Sequence, residues 1–233
     1  MGERVIEHLS TRPLAERLRE RINHEGAISF RDWMDAALYD EHEGYYCRRN
    51  SERQGHAGDY RTSPERSALF AATFAGYFAA LFHELGEPPI FTIYEAGAGE
   101  GHFARGVLST LRRDYPEVFP KVRYAIDEKS DDARERARNL LSSFGERVDF
   151  YRSPEPPASP IEGVVFSNEL LDAFPVHLVV MRDGKLYELC VGLSETGKFQ
   201  WDEREPTTPR LAAHFKDLNV TLTEGQTAEA NLA

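Results

Sequence analysis

Residues 90–101, IFTIYEAGAGEG, join an apolar segment with β-strand character to a glycine-rich turn. Glycine occupies alternate positions in the turn, at Gly97, Gly99 and Gly101. A helical pattern from about His102 to Arg113 follows directly. A strand that leads through a glycine turn into a helix is where α/β sheets bind nucleotide-like ligands. The stretch therefore predicts an α/β fold with a ligand site at this turn.

The chain after this turn continues to alternate between strand and helix patterns. Strand patterns cover residues 121–128, 147–152 and 161–169, with a helical pattern at 132–144. This alternation predicts a doubly wound, mostly parallel sheet. Beyond Pro175, two apolar segments flank Asp183-Gly184, a dipeptide typical of a tight β-hairpin, and a short strand is predicted at 199–201.

The first 88 residues have a different pattern, helical and loop-rich. Leu14, Leu18 and Ile22 recur at helical spacing, and Ser29 is suited to capping a second helix. A polar, glycine-containing stretch precedes a third helix after Pro64. We therefore expect residues 1–88 to form a helical and loop extension that covers the ligand site, and residues 89–233 to form the α/β domain.

Composition narrows the class of protein. The 233 residues are 41% hydrophobic and carry a net charge of −11, which disfavours a nucleic-acid partner. The sequence has neither an apolar run of membrane-spanning length nor a secretory leader pattern, so we expect a cytoplasmic protein without a membrane partner. Cys47 and Cys190 lie far apart with no zinc-type spacing, which predicts free thiols and no metal site.

The glycine spacing discriminates between nucleotide cofactors. A dinucleotide site requires its third glycine three residues after the second, but Gly101 follows Gly99 by two. An NAD-dependent oxidoreductase is therefore disfavoured. Glycines at alternate positions let the backbone pass close to a ligand, and Glu95 offers a carboxylate for an ammonium group. S-adenosylmethionine (SAM) has such an amino-acid end, so SAM is the expected cofactor, bound by Glu95, Gly97, Gly99 and Gly101.

The next predicted strand ends in two acids, Asp127 and Glu128. An acid at this position can accept hydrogen bonds from both ribose hydroxyls of a nucleotide. Glu128 is the first choice and Asp127 the alternative, because the strand register is not fixed by the sequence. Either residue could instead be a solvated strand end.

Polar residues follow the strand at 161–169, at the edge where a substrate would meet the cofactor. Asn168, Glu169 and Asp172 are the candidates for catalytic or substrate-positioning groups. Methyl transfer needs an aligned nucleophile and a group that holds or removes a proton, which carboxylates and an amide can provide without a metal. Asn168 or Asp172 could instead cap the next helix.

Several separated blocks of the chain resemble the MidA-type SAM-dependent methyltransferases, a family that includes a mitochondrial complex I assembly factor with protein arginine methyltransferase activity. The blocks include Gly58-Asp59-Tyr60-Arg61-Thr62-Ser63-Pro64-Glu65, the turn from Glu95 to Gly101, and Asn168-Glu169-Leu170-Leu171-Asp172-Ala173-Phe174-Pro175-Val176. Glu224-Gly225-Gln226 with Glu229 is similar to a later block of the family. The resemblance extends from about residue 28 to the end of the chain.

This resemblance implies a class I, Rossmann-like methyltransferase fold, with Gly58, Asp59 and Thr62 near the cofactor. It also implies a protein arginine side chain as methyl acceptor, with a small molecule as the alternative. Ala98 and Glu100 replace the Pro and Arg usual in the family, and the relatives continue beyond the equivalent of Ala233. We therefore expect the family's C-terminal part to be missing and a homodimer to be possible. The rival functional hypothesis is a SAM-binding assembly factor without catalysis.

Overall fold

The computed structural model describes residues 12–47, 68–152 and 160–232. The α-helices within these ranges are α1 (Leu14–Glu25), α2 (Phe30–Tyr39), α3 (Ala68–Glu84), α4 (His102–Asp114), α5 (Asp131–Leu141) and α6 (Arg210–Asp217). The strands are β1 (Ile28–Ser29), β2 (Phe91–Ala96), β3 (Val122–Asp127), β4 (Val148–Tyr151), β5 (Gly163–Ser167), β6 (His177–Arg182), β7 (Lys185–Leu193), β8 (Phe199–Arg204) and β9 (Thr227–Ala230). None of the described helices is long and apolar enough to cross a membrane.

The chain divides into two compact units. One comprises Arg49–Leu170 and is called here the parallel-sheet unit. The other combines Met1–Arg48 with Leu171–Ala233 and is called the antiparallel-sheet unit.

Four parallel strands form the sheet of the parallel-sheet unit, in the order β4-β3-β2-β5. Side chains alternate between its two faces, so Phe91 and Ile93 of β2 and Tyr124 of β3 are fully buried on one face. The predicted parallel α/β arrangement is thus confirmed. Because parallel strands end at the same edge, this order brings the ends of β2 and β3 together.

Helices α3 and α4 cover the buried face of this sheet. Small residues let the two helices approach closely, since a Cβ atom on Gly106 would lie 2.5 Å from the Cβ of Ala71. Phe103 of α4 stacks on Phe166 of β5 with a 4.4 Å separation between ring centroids. Apolar burial of this kind supplies most of the driving force for the unit. It also fixes α4 over β2 and β5, and thus fixes the turn between β2 and α4.

The antiparallel-sheet unit contains a sheet in the order β1-β7-β6-β9, with β8 paired to β7. The hairpin between β6 and β7 turns at Asp183 and Gly184, whose φ angles are 49° and 70°. Both central residues have positive φ, as a tight hairpin turn with the twist of its strands requires. The hairpin and the strand beginning at Phe199 were predicted from the sequence and are confirmed.

The predicted N-terminal helices are also confirmed. Ser29 caps α2, since its hydroxyl accepts a hydrogen bond from the backbone N–H of Asp32 at 3.1 Å. Leu18 and Ile22 of α1 are buried in a cluster with Ile28 and Val191. The antiparallel sheet therefore supplies the core on which α1 packs.

The two units do not divide at residue 88, where the sequence suggested a boundary. Helix α3 belongs to the parallel-sheet unit because its apolar side joins the core of that sheet. The N-terminal helices belong with the chain after Leu171 because the two-residue strand β1 pairs with β7. That residues 1–88 cover the ligand site stays a prediction. Helix α6, which buries Leu211 completely, and strand β9 were not predicted.

Candidate functional site

The glycine turn between β2 and α4 has an unusual backbone. Gly97, Gly99 and Gly101 have φ angles of 69°, 56° and 80°, all in the left-handed region. Residues with a Cβ atom adopt this conformation only at a cost, so glycine at each of the three positions has a structural reason. The turn follows β2 directly and leads into α4.

The glycines differ in what surrounds them. A Cβ atom on Gly101 would lie 3.1 Å from both the Cβ of Ala137 and the Cδ1 of Leu141, so this glycine permits close packing on α5. A Cβ atom on Gly97 would lie 2.7 Å from Leu170. The sequence suggested that all three glycines allow a ligand to approach. For Gly101, the packing of α4 on α5 already accounts for the absence of a side chain.

Glu128 lies at the glycine turn. Its Oε2 accepts a hydrogen bond from the backbone N–H of Gly99 at 2.8 Å, and its Oε1 accepts one from Ser130 N–H, also at 2.8 Å. Ser130 in turn caps α5 by accepting from the N–H of Ala133. The carboxylate of Glu128 is therefore oriented by two backbone amides, and it ties the end of β3 to the middle of the turn.

Asp127, the alternative ribose ligand, occupies a different environment. Its side chain is buried and accepts a hydrogen bond from the Tyr94 hydroxyl at 2.7 Å. This bond and burial raise the pKa of Tyr94 well above its ordinary value, with burial the larger cause. The backbone carbonyl of Asp127 accepts the N–H of Gly97 at 2.8 Å. Asp127 thus supports the turn through its backbone, while its side chain contacts Tyr94.

Glu95 is a buried acid on the core face of β2, only 4% exposed. The hydroxyl of Tyr124 donates to its Oε2 at 2.7 Å. Burial raises the pKa of Glu95 to about 8; the Tyr124 hydrogen bond opposes the shift, and the Glu128 carboxylate adds to it. A carboxyl group in this state is mostly protonated at neutral pH and becomes ionised when a cation approaches. The sequence did not identify Tyr124 as a partner, although its position on a neighbouring strand was a usable signal.

Glu100, which departs from the usual family residue, is paired with a cation. Its Oε1 lies 2.9 Å from Nε of Arg136 on α5, and Arg136 also contacts Asp132 through an N–O distance of 2.7 Å. The negative charge at residue 100 therefore has a cationic neighbour, Arg136, which it shares with Asp132.

The predicted substrate-positioning residues fall on both sides of the division between the units. Asn168 and Glu169 follow β5 in the parallel-sheet unit, with Asn168 half-buried and Glu169 exposed. Glu169 has a φ of 50°, which is strained for a residue with a side chain. Asp172 is exposed, lies on the short 3₁₀ helix Leu171–Ala173 and belongs to the antiparallel-sheet unit.

Three of the predicted cofactor ligands, Gly58, Asp59 and Thr62, lie outside the described residues. Across the parts of the chain that the structure describes, no cluster of three or more His, Cys, Asp or Glu residues is suited to a metal ion. The described cofactor candidates are thus the turn glycines, Glu95, Asp127 and Glu128. Of these acids, Glu128 is hydrogen-bonded to an amide of the turn itself.

Comparison with known proteins also indicates a site for S-adenosylmethionine. Residues 73–233 match a family described as “Putative S-adenosyl-L-methionine-dependent methyltransferase”. A superfamily member from Burkholderia thailandensis, crystallised with S-adenosyl-homocysteine bound, is 31% identical; the match covers 93% of this chain and 55% of that chain, with a TM-score of 0.76.

Curated relatives include “Protein arginine methyltransferase NDUFAF7 homolog, mitochondrial” of Drosophila melanogaster. It is 27% identical over 201 residues, which are 78% of this chain and 45% of that protein. The mouse protein arginine methyltransferase NDUFAF7 is 28% identical over 121 residues, 52% of this chain and 26% of its own length. The chain thus spans about half or less of the length of these curated relatives.

The parallel sheet, the glycine turn and the acid after β3 define a class I methyltransferase fold of the Rossmann-like type. The chain belongs to the family of S-adenosyl-L-methionine-dependent methyltransferases whose model it matches over residues 73–233. The resemblance noted in the sequence is thereby confirmed.

Proposed function

We propose that this chain binds SAM at the glycine turn and transfers the methyl group of SAM to a protic nucleophile. The observation that carries the proposal is the hydrogen bond from Gly99 N–H to Glu128. This bond places the acid proposed to bind the ribose directly beside the glycine turn. Family membership and the S-adenosyl-homocysteine in the Burkholderia relative support it.

Each described cofactor residue has a distinct proposed role. The Glu128 carboxylate accepts hydrogen bonds from the ribose hydroxyls, because it lies at the turn and is held by two backbone amides. Glu95 pairs with the ammonium group of SAM and releases its proton on doing so, since burial keeps it protonated otherwise. Gly97 and Gly99 let the cofactor approach the backbone. Asp127 supports the turn, and Gly58, Asp59 and Thr62 complete the site as the family resemblance implies.

The residues that bind SAM need only align its methyl group with the acceptor. SAM supplies an electrophilic methyl group on a sulfonium, which the nucleophile displaces in line. Asn168, Glu169 and Asp172 are proposed to orient the acceptor at the end of β5. The strained backbone of Glu169 is consistent with a functional position, because such strain is commonly retained where a side chain must point in a set direction.

We infer a protein arginine side chain as the acceptor, with a small molecule as the alternative. The support is the naming of the curated relatives as protein arginine methyltransferases. A guanidinium is a poor nucleophile because its lone pair is delocalised, and a carboxylate such as Glu169 would localise the charge at the reacting nitrogen. Cytoplasmic location and a homodimer stay predictions.

A thermal-unfolding series tests the proposed cofactor. S-adenosyl-homocysteine at about one hundred times its Kd should add about 2.7 kcal/mol to the free energy of unfolding, whereas NAD at the same concentration should add little. Stabilisation by NAD alone would refute the SAM site. Stabilisation by S-adenosyl-homocysteine without methyl transfer to a cell extract would instead indicate a SAM-binding assembly factor.

A further inference from the structure

A cavity of about 780 Å³ lies within the antiparallel-sheet unit. All the residues that line it belong to this unit, on α1, α2, the start of β6, the start of α6 and the segments next to them. Its volume is in the range of sites that bind small molecules. The ionisable side chains on its wall are Arg21, Glu25, Arg31, Asp32, Asp35, His177 and Arg210.

Four of these charges neutralise one another. The guanidinium of Arg21 lies 2.9 Å from Oε2 of Glu25 and 2.9 Å from Oδ2 of Asp32. Arg31 contacts the other carboxylate oxygen of Asp32 at 3.0 Å. Two cations and two anions therefore form one network with no net charge, and this network does not itself require a charged ligand.

Two opposite charges on the cavity wall stay outside this network. Asp35 of α2 is half-buried, and within the described ranges it forms no ion pair. Arg210, at the start of α6, donates to the backbone carbonyl of Leu232 and has no carboxylate partner in those ranges. A guanidinium has five N–H donors, so Arg210 retains donors for a ligand. Since Asp35 and Arg210 do not pair with each other, a ligand with two opposite charges can contact both.

His177 adds an oriented hydrogen-bond acceptor to the wall. Its Nδ1 lies 2.7 Å from Oε1 of Glu188, whose side chain is fully buried. Oε2 of Glu188 accepts the backbone N–H and the hydroxyl of Thr207, each at 2.7 Å, so the carboxylate is held in one orientation. Nδ1 of the neutral imidazole therefore carries the proton, and Nε2 has a lone pair for a ligand N–H. His177 and Asp35 lie on β6 and α2, which pack against each other.

The rest of the wall is largely apolar. Its apolar members are Ala27, Ile28, Phe174, Pro175 and Leu232. A small number of placed polar groups among apolar side chains is the usual composition of a small-molecule site. The apolar surface favours a ligand that carries a hydrocarbon group beside its charges.

We propose that this cavity binds a free amino acid with an apolar side chain. The ammonium group of the ligand donates to the Asp35 carboxylate and to Nε2 of His177, and its carboxylate accepts from the Arg210 guanidinium. A ligand with only one of these charges leaves Asp35 or Arg210 without a partner, so the zwitterion is favoured. The site lies within one unit and is independent of the proposed methyl transfer.

Calorimetric titration of leucine into the whole chain tests the site. Leucinamide, which lacks the carboxylate, and isocaproate, which lacks the amino group, are titrated in parallel. Leucine should bind one equivalent, and each analogue should bind with a Kd higher by about tenfold or more, because each loses one charged hydrogen-bonding group. Either analogue binding as tightly as leucine would overturn the two-charge site.

Charge-removing variants assign binding to this cavity. Asp35→Asn and Arg210→Gln should each raise the Kd for leucine by about tenfold or more. Asp217→Asn and Lys216→Gln are the matched controls, since both residues are exposed on α6 and neither lines the cavity. The controls should bind leucine as wild type does. Urea unfolding verifies that each variant is folded, and Asp35→Asn and Arg210→Gln change no fully buried side chain.

A titration in the presence of S-adenosyl-homocysteine separates this site from the glycine turn. Wild type saturated with S-adenosyl-homocysteine should bind leucine with an unchanged Kd. Competition between the two ligands would overturn the inference, because it would place leucine at the turn near Glu95. Wild-type leucine affinity in folded Asp35→Asn and Arg210→Gln, or no binding of leucine, valine or methionine to wild type, would also overturn it. Each of these results leaves the proposed methyltransferase function untouched, since that function is tested by S-adenosyl-homocysteine binding and methyl transfer.

Discussion

The backbone N–H of Gly99 donates to the carboxylate of Glu128 at 2.8 Å. This bond joins residues separated by a helix and a strand, so it depends on α4 and β3 being placed together by the core. It also presents an oriented carboxylate beside a left-handed glycine. A ligand with a ribose and a polar tail can contact both, which is why this pair is central to the proposed SAM site.

Glu128→Gln should weaken S-adenosyl-homocysteine binding, because the neutral amide is a poorer acceptor for ribose hydroxyls. Hydrogen bonds to charged groups contribute about 1.5–3 kcal/mol, so Kd should rise by about 10- to 150-fold. Isothermal titration calorimetry measures the change.

Asp127→Asn is the matched comparison. It should leave Kd within about threefold, since the Asp127 carboxylate contacts Tyr94. If Asp127→Asn weakens binding strongly and Glu128→Gln does not, the ribose ligand is Asp127.

Gly101→Ala should destabilise the fold more than Gly86→Ala. Both glycines have a φ of 80°, so both substitutions cost about 1 kcal/mol of backbone strain. Only at Gly101 does the added methyl group meet neighbours, on Ala137 and Leu141, whereas nothing lies within 4 Å at Gly86. Overpacking adds about 1–3 kcal/mol, measured as the difference between the two free energies of unfolding in urea. Equal losses would remove the packing explanation for Gly101.

The free energy of unfolding should fall as pH rises, in part because of Glu95. Its pKa is raised from an ordinary 4.5 to about 8 by burial. The folded state therefore binds this proton more tightly than the unfolded chain does. The resulting stabilisation is complete below the ordinary value and is lost as pH rises through about 8.

Urea titrations between pH 5 and 9 check this expectation. Glu95→Gln, which cannot ionise, should show a flatter decline than wild type over that range. Parallel curves for the two proteins would mean that Glu95 ionises normally in the fold. The same variant should also eliminate proton release on SAM binding near neutral pH, if Glu95 pairs with the ammonium group.

Glu169→Gln should lower turnover by about 10²-fold with little effect on SAM affinity, because it removes the charge that orients the acceptor. Glu169→Gly should do the same and also raise the free energy of unfolding by about 1 kcal/mol, because it relieves a φ of 50°. Tritium transfer from labelled SAM to a total cell extract measures turnover, and urea unfolding measures stability.

Glu87→Gly is the control, since Glu87 has a φ of 60° in the same region of backbone space. It should gain a similar stability without any change in turnover. Full activity in a folded Glu169→Gly protein would assign the residue to the loop rather than to the acceptor site.

Local features of the fold could be predicted from the sequence because their causes are local. The Asp183-Gly184 hairpin depends on two adjacent residues with positive φ, and the cap of α2 depends on Ser29 and the residues just after it. The parallel sheet followed from alternating strand and helix patterns.

Features that depend on distant residues could not be predicted in this way. The two-residue strand β1 pairs with Val191 and Cys190, more than a hundred residues away, and that pairing decides the division into units. The choice between Asp127 and Glu128 as the proposed ribose ligand depends on which way each side chain faces at the end of β3, which the sequence alone does not give. The packing role of Gly101 depends on the position of α5, which lies about thirty residues further along the chain.

Calorimetric titration of S-adenosyl-homocysteine into wild type, Gly99→Ala and Gly184→Ala tests the central claim most directly. Gly99 and Gly184 have φ angles of 56° and 70°, so both alanines stand at positive φ, but only Gly99 lies in the glycine turn. Wild type and Gly184→Ala should bind one equivalent with similar Kd, and Gly99→Ala should lose more than about 1.4 kcal/mol, or tenfold in Kd. Undiminished binding by a folded Gly99→Ala protein, or no binding by wild type, would contradict a SAM site at this turn.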